Sequence, residues 1–103
     1  MTYKIDILPE VLEEDLKKLN KHLKHTFCAA IRERIAERPY DFKPLKGKKY
    51  YGTWRLRIGD YRIVYYIDEK QNLVTILRFG VRSKVYDKLE TRVNSMKNKN
   101  STL

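Results

Sequence analysis

An α+β fold with the element order β-α-α-β-β-β-α is predicted by the sequence, on three observations. Apolar residues alternate with period two in four stretches and recur at three- and four-residue steps in three others, and Pro, Gly and Asp/Asn clusters fall between them. At 103 residues, 42% hydrophobic and 35% charged, the chain has material for one domain with one modest core, and its composition is not that of a disordered protein. A single domain over residues 1–97 is expected, with 98–103 as a flexible tail.

Tyr3, Ile5 and Ile7 alternate with Lys4 and Asp6 as a first strand, which Pro9 ends. Pro9 suits the first turn of a helix on which Val11, Leu12, Asp15, Leu16, Leu19 and Leu23 follow, with acidic residues leading and lysines trailing as the helix dipole prefers. A second helix places Phe27, Ala30, Ile31, Ile35 and Ala36 on one face, with Thr26 as its N-cap, Pro39 as its stop and Cys28 as a small core residue. The stretch "YDFKPLKGKKYYG" is a loop entering a strand. Trp54, Leu56 and Ile58 then alternate with Thr53, Arg55 and Arg57 up to a Gly59-Asp60 turn, and residues 61–67 form the other arm of the hairpin. "LVTILRFG" has the β-branched and aromatic content of a central strand. From Ser83 onward Val85, Leu89, Val93 and Met96 recur on a helical spacing.

Twenty-three Lys and Arg against 13 Asp and Glu give a formal charge of +10, which favours a polyanionic partner: nucleic acid, an acidic protein or an anionic membrane surface. One cysteine allows no internal disulfide, the opening "MTYKIDILPE" has no signal-peptide pattern, and no run of about 18 apolar residues occurs, so a cytoplasmic protein without a membrane span is expected. His22 and His25 lack a third metal ligand, and there is no Gly-rich phosphate loop and no Ser/His/Asp order, so no cofactor is expected. The groups left for chemistry are Arg, Lys and Tyr. If Trp54, Leu56 and Ile58 face the helices, Arg55 and Arg57 point to the other side of the sheet, where Arg62 joins them beside Val64 and Tyr66, with Arg78 nearby. Basic and aromatic side chains on one face suit phosphates and stacked bases. The alternative is a solvated face whose charge guards against edge pairing.

The stretches "LKGKKYYGTWRLRIGDYRIVYYID" and "ILRFGVRSKVYDKL" resemble the RelE/ParE superfamily of toxins from type II toxin–antitoxin pairs, the RelE branch in particular, from the first strand through Tyr86. The resemblance implies two helices packed on one face of a small, mainly antiparallel sheet, with a concave basic face opposite. It further implies an mRNA endoribonuclease that enters the 30S decoding site of the ribosome and is neutralised by a cognate acidic antitoxin, in a toxin–antitoxin hetero-oligomer. The implied reaction is attack of a ribose 2′-hydroxyl on the adjacent phosphate, leaving a 2′,3′-cyclic phosphate and a 5′-hydroxyl without a metal. Carried over by position, Arg55, Arg62, Arg82 and Tyr86 are the implied catalytic residues. Lys46, Lys48, Lys49, Arg57 and Arg78 would bind RNA. Val81 and Thr53 depart from the family pattern, standing where relatives often carry a histidine or lysine. The rival functions are a ParE-like DNA gyrase inhibitor on the same scaffold and a non-catalytic basic RNA-binding protein.

Overall fold

The computed structural model of the chain describes residues 2–100. Five strands, β1 (Lys4–Ile7), β2 (Lys43–Pro44), β3 (Thr53–Ile58), β4 (Tyr61–Asp68) and β5 (Leu73–Val81), form one sheet in the order β1-β5-β4-β3-β2. β1 runs parallel to β5 and the other pairs are antiparallel. Gly59, at φ +57°, makes the tight β3–β4 turn. A register shift sets Val64 opposite Arg78 but Tyr65 opposite Ile76, so Leu77 is the extra residue of a β-bulge. The bulge turns Ile76 and Phe79 to one face of the sheet and Arg78 to the other.

The first helical stretch begins at Pro9 and passes through a π-helical turn, Val11–Asp15. It stops six residues earlier than Thr26 would require. Asn20, in extended conformation, caps helix α1 (Lys21–Ala30) by accepting the Leu23 N–H at 2.9 Å, whereas Thr26 lies inside α1 and donates its hydroxyl to the His22 carbonyl. A second π-helical turn, Ile31–Ile35, continues α1 towards Pro39. Phe27, Ala30, Ile31 and Ile35 face the sheet, but Cys28 is exposed, at the margin of that stripe rather than within the core. The Phe27 ring lies 4.7 Å from that of Phe79, which stacks on Tyr61 at 5.1 Å. Tyr65, fully buried, donates its hydroxyl to the Pro39 carbonyl at 2.6 Å, and burial pushes its phenol well above the ordinary tyrosine range.

The opposite face of the sheet is not left open. Turns over residues 82–88 cross it and lead into helix α2 (Leu89–Asn100), so the last helix begins at Leu89 rather than Ser83 and runs past Lys97; 101–103 of the expected tail lie outside the described residues. Val85, Leu89, Val93 and Met96 are all buried. Gly80 lies under this segment, where a Cβ would meet the Val85 Cα at 3.5 Å.

Asp15, grouped by its spacing with the apolar stripe, completes the edge of β5. The last bond from β1 is Leu8 N–H to the Ile76 carbonyl, and beyond it no strand among the described residues covers that side of β5. There Asp15 Oδ2 accepts the Phe79 N–H at 2.8 Å, and Arg92 Nη1 donates to the Leu77 carbonyl at 3.1 Å. Asp15 also accepts from Arg78 at 2.6 Å and from both terminal nitrogens of Arg92 at 2.7 and 2.9 Å. Burial works against the Arg92 charge, but the Asp15 hydrogen bonds and the carboxylates of Asp15, Glu14 and Glu10 leave its pKa above the ordinary value. No helix among the described residues is long and apolar enough to cross a membrane.

Candidate functional site

Cross-strand register brings the arginines together. Arg57 stands directly opposite Arg62, and Arg55 opposite Val64, all on the face that the 82–88 turns cross. β2 pairs with Trp54 and Arg55 and the Leu45 N–H bonds the Thr53 carbonyl at 2.9 Å, so among the described residues no strand covers the edge of β3 over 56–58. Beside that edge opens a cleft of about 300 Å³ lined by Arg34, Asp41, Phe42, Lys43, Leu56 and the three sheet arginines, five cations against one carboxylate. Arg34 lies over the Phe42 ring at 5.2 Å.

Arg62 departs from the open position that alternation suggested. It is only 9% exposed, and its Nε and one terminal nitrogen are buried without a hydrogen-bond partner. Nor does it make any ion pair among the described residues, Asp60 included. A guanidinium held this way, with Arg57 opposite, is costly unless an anion completes it. Arg55 donates to the Tyr86 hydroxyl at 2.7 Å, which fixes the phenol at the border of the same face; Tyr86 precedes α2 and sits in the turns, not on a helix. Arg82 is exposed, and its N–H bonds the Asp60 carbonyl at 2.8 Å, which holds it at the hairpin end of the arginine row. Arg57 is also exposed and donates to Gly59.

The remaining expected RNA contacts divide. Lys46 and Lys48 are exposed on the 45–50 loop, and Lys49 pairs with Glu90 at 3.3 Å, a contact that raises its pKa. Arg78 does not belong with the free cations. Its side chain is 14% exposed and bonds Asp15 and the carbonyls of Lys84 and Asp87, so it braces the 82–88 turns. Val81 ends β5 opposite Tyr61, and Thr53 is buried. Arg34, Phe42 and Lys43 were not singled out by the sequence. Lys43, three residues before Lys46 in the same basic loop, offered a signal; Arg34, on a helix far away in sequence, offered none. Among the described residues no group of three or more His, Cys, Asp and Glu could hold a metal.

The fold, a five-stranded, mostly antiparallel sheet with helices packed on it, is that of solved toxins from toxin–antitoxin pairs. The sequence matches the family described as ParE toxin of type II toxin-antitoxin system, parDE, over residues 7–86, and the chain belongs to that family within the RelE/ParE superfamily. Among solved structures, the chain is similar to the toxin–antitoxin complex RelBE2 from Mycobacterium tuberculosis, at 28% identity and TM-score 0.72, over 80% of this chain and 100% of that one. The archaeal RelE–RelB complex from Pyrococcus horikoshii matches at 26% identity and TM-score 0.55, over 82% and 100% of the two chains. An arginine-to-alanine double mutant of the E. coli toxin RelE in the free state shares the fold, at 18% identity and TM-score 0.71, over 93% and 98%. No curated protein matches the sequence.

Proposed function

We propose that this toxin is a metal-independent mRNA endoribonuclease that acts on ribosome-bound messenger and is held inactive by an acidic antitoxin. The observation that carries the reading is Arg62, whose two partnerless nitrogens are buried in a cleft of five cations beside the Arg55–Tyr86 pair. A phosphate diester in the cleft compensates the charge of Arg62 and supplies acceptors to the cations that line it. Arg62 and Arg57 then offset the charge that builds on the phosphorane as the 2′-hydroxyl attacks, Arg82 stands on the side of the departing 5′-oxygen, and Tyr86 contacts the ribose or its base. Tyrosine and arginine titrate far above neutral pH and are slow proton carriers, so positioning of the messenger by the ribosome has to supply much of the rate. The antitoxin is supported by the solved relatives that are toxin–antitoxin complexes and by the +10 charge.

Primer extension on a translated and an untranslated copy of one messenger tests this. Cuts confined to the translated copy, carrying 5′-hydroxyl ends and lost in Arg62→Ala, are expected. The family match favours one second reading, a ParE-like inhibitor of DNA gyrase. Intact messenger together with blocked gyrase supercoiling would replace the first reading with the second.

A further inference from the structure

The arginine cleft is lined from both faces of β3. Arg55 and Arg57 belong to the face that the 82–88 turns cross, whereas Leu56 stands in one row with Ile63 and Phe79, on the face where Phe27 of α1 packs. The cleft therefore runs over the edge of the strand. The Leu45 N–H bonds the Thr53 carbonyl, so the main-chain groups of 53, 55 and 57 point away from β4; of 56–58, only Arg57 turns its N–H and carbonyl to the cleft. The far lip is made by Arg34 and Phe42. Arg34 lies on the turn 31–35, whose Ile31 and Ile35 are buried in the core, and its own side chain is exposed. The part-buried Phe42 ring carries the guanidinium at 5.2 Å, and Arg34 makes no ion pair among the described residues. Asp41, the one carboxylate of the lining, pairs with Arg38 instead. Lys43 stands opposite Arg55 in register and joins the two lips.

We propose that Arg34 is a positioning residue which, with Lys43 and the Arg57 N–H, takes the phosphodiester adjoining the one held at Arg62, so that the RNA strand bends over the edge of β3. The inference rests on the RNA-cutting reading above and adds a second phosphate and a path to it. A guanidinium seated on a ring loses little freedom on binding, and its planar fork answers phosphate oxygens in pairs. The ring also removes water from one side of the charge, which strengthens its pull on an anion. An acidic protein segment would bring the same charge, but the space does not suit it. A cleft of about 300 Å³ has no room for a helix about 10 Å wide. An added strand would find Arg57 alone to pair with, too little for the main-chain ladder on which strand addition depends. A single-stranded sugar–phosphate chain needs only point contacts along its path, which the five cations supply. The roles divide by burial: Arg62, enclosed, meets the reacting phosphate, and Arg34, exposed at the lip, meets its neighbour and takes no part in bond breaking.

Probes that cannot be cut isolate the second phosphate. The full-length toxin would be titrated at low salt with a dinucleotide and a trinucleotide of 2′-O-methyluridine, without terminal phosphates, so that one carries a single phosphodiester and the other a pair. Each would displace a fluorescent hexanucleotide of the same sugar. The trinucleotide should bind roughly tenfold more tightly, the effect of one charge-assisted contact. Arg34→Ala should remove that step at a melting temperature near the parent's, because the side chain is exposed, and Arg34→Lys should restore part of it. For the hexanucleotide, the slope of log affinity against log salt should flatten by about 0.7 in Arg34→Ala, a change that a merely structural role would not produce. A step that survives Arg34→Ala, or an unchanged salt slope, would overturn the second subsite and leave the RNA reading standing. Absence of any oligonucleotide binding by the parent would overturn both. Binding of hexaglutamate that Arg34→Ala weakens, with the oligonucleotide step intact, would assign the lip to an acidic protein and overturn the phosphate.

Discussion

Replacing Arg62 with methionine should stabilise the toxin and silence it. The side chain is 9% exposed, two of its nitrogens are buried and unpartnered, and Arg57 lies directly across the strand pair. Each unsatisfied buried donor costs about 1–3 kcal/mol, and a like charge facing it across a sheet adds up to about 1 kcal/mol. Methionine keeps an unbranched stem of similar reach and so loses little packing. Some of the cost in the parent is relieved by solvent at the cleft mouth, and a net gain of about 1–2 kcal/mol remains, or roughly 4–16 °C in melting temperature for a domain of this size. Thermal unfolding followed by circular dichroism would measure it. Sulfate or phosphate should raise the melting temperature of the parent by more than that of Arg62→Met, because the variant keeps the other four cations of the cleft but not the guanidinium with unpartnered buried nitrogens. Messenger cleavage should fall about 100-fold or more through loss of a transition-state donor. A variant that melts below the parent, or responds to sulfate as the parent does, would refute the account of Arg62 as an uncompensated buried charge.

Asp15→Ala should destabilise the fold by about 3–5 kcal/mol, because it strands Arg92, and Arg78 beside it, without their carboxylate; urea unfolding and proteolysis of the 82–88 turns would show the loss. Arg82→Ala, at an exposed position, should change stability by about 0.5 kcal/mol or less yet reduce cleavage about 100-fold, read by melting and primer extension on one preparation. Tyr65, through burial, and Tyr40, through its bond to Glu69, have raised pKa values in the folded state. The stability they contribute is complete below pH 10 and lost as pH rises through their folded pKa values, about 12 for Tyr40. Absorbance titration of the phenols should therefore show a late fraction that ionises together with unfolding, and Tyr65→Phe should shrink it.

Period-two alternation made β3, β4 and β5 legible, because each has an apolar face buried in the core. The same rule assigned Arg55 and Arg62 to one face correctly but could not reveal what lies over it. The 82–88 turns reach that face through contacts such as Arg55–Tyr86, 31 residues apart in sequence. Arg78 was misjudged for a related reason. Its carboxylate partner is 63 residues away, and the bulge at Leu77 shifts its phase within the strand. Asp15 at an apolar spacing looked like a flaw in the stripe and is a buried hub. Thr26 and Asn20 are both good N-cap residues, and only the break at Leu19 decides between them. Of the site, the sheet arginines and Tyr86 came from strand pattern and resemblance, while Arg34 and Phe42 enter through tertiary packing alone.

The edge of β5 has a consequence for how the toxin comes into being. Asp15 is made early in synthesis, and its partners Arg78 and Arg92 follow 63 and 77 residues later. β1 likewise waits for residues 73–76 before it can pair. Contacts that distant close slowly and only after nearly all of the chain exists. Until Arg92 has emerged, nothing clamps α2 against the sheet, and the turns that carry Tyr86 have no fixed seat over the arginines. The order of the residues along the chain thus delays assembly of the arginine face and its covering turns until the last helix is delivered.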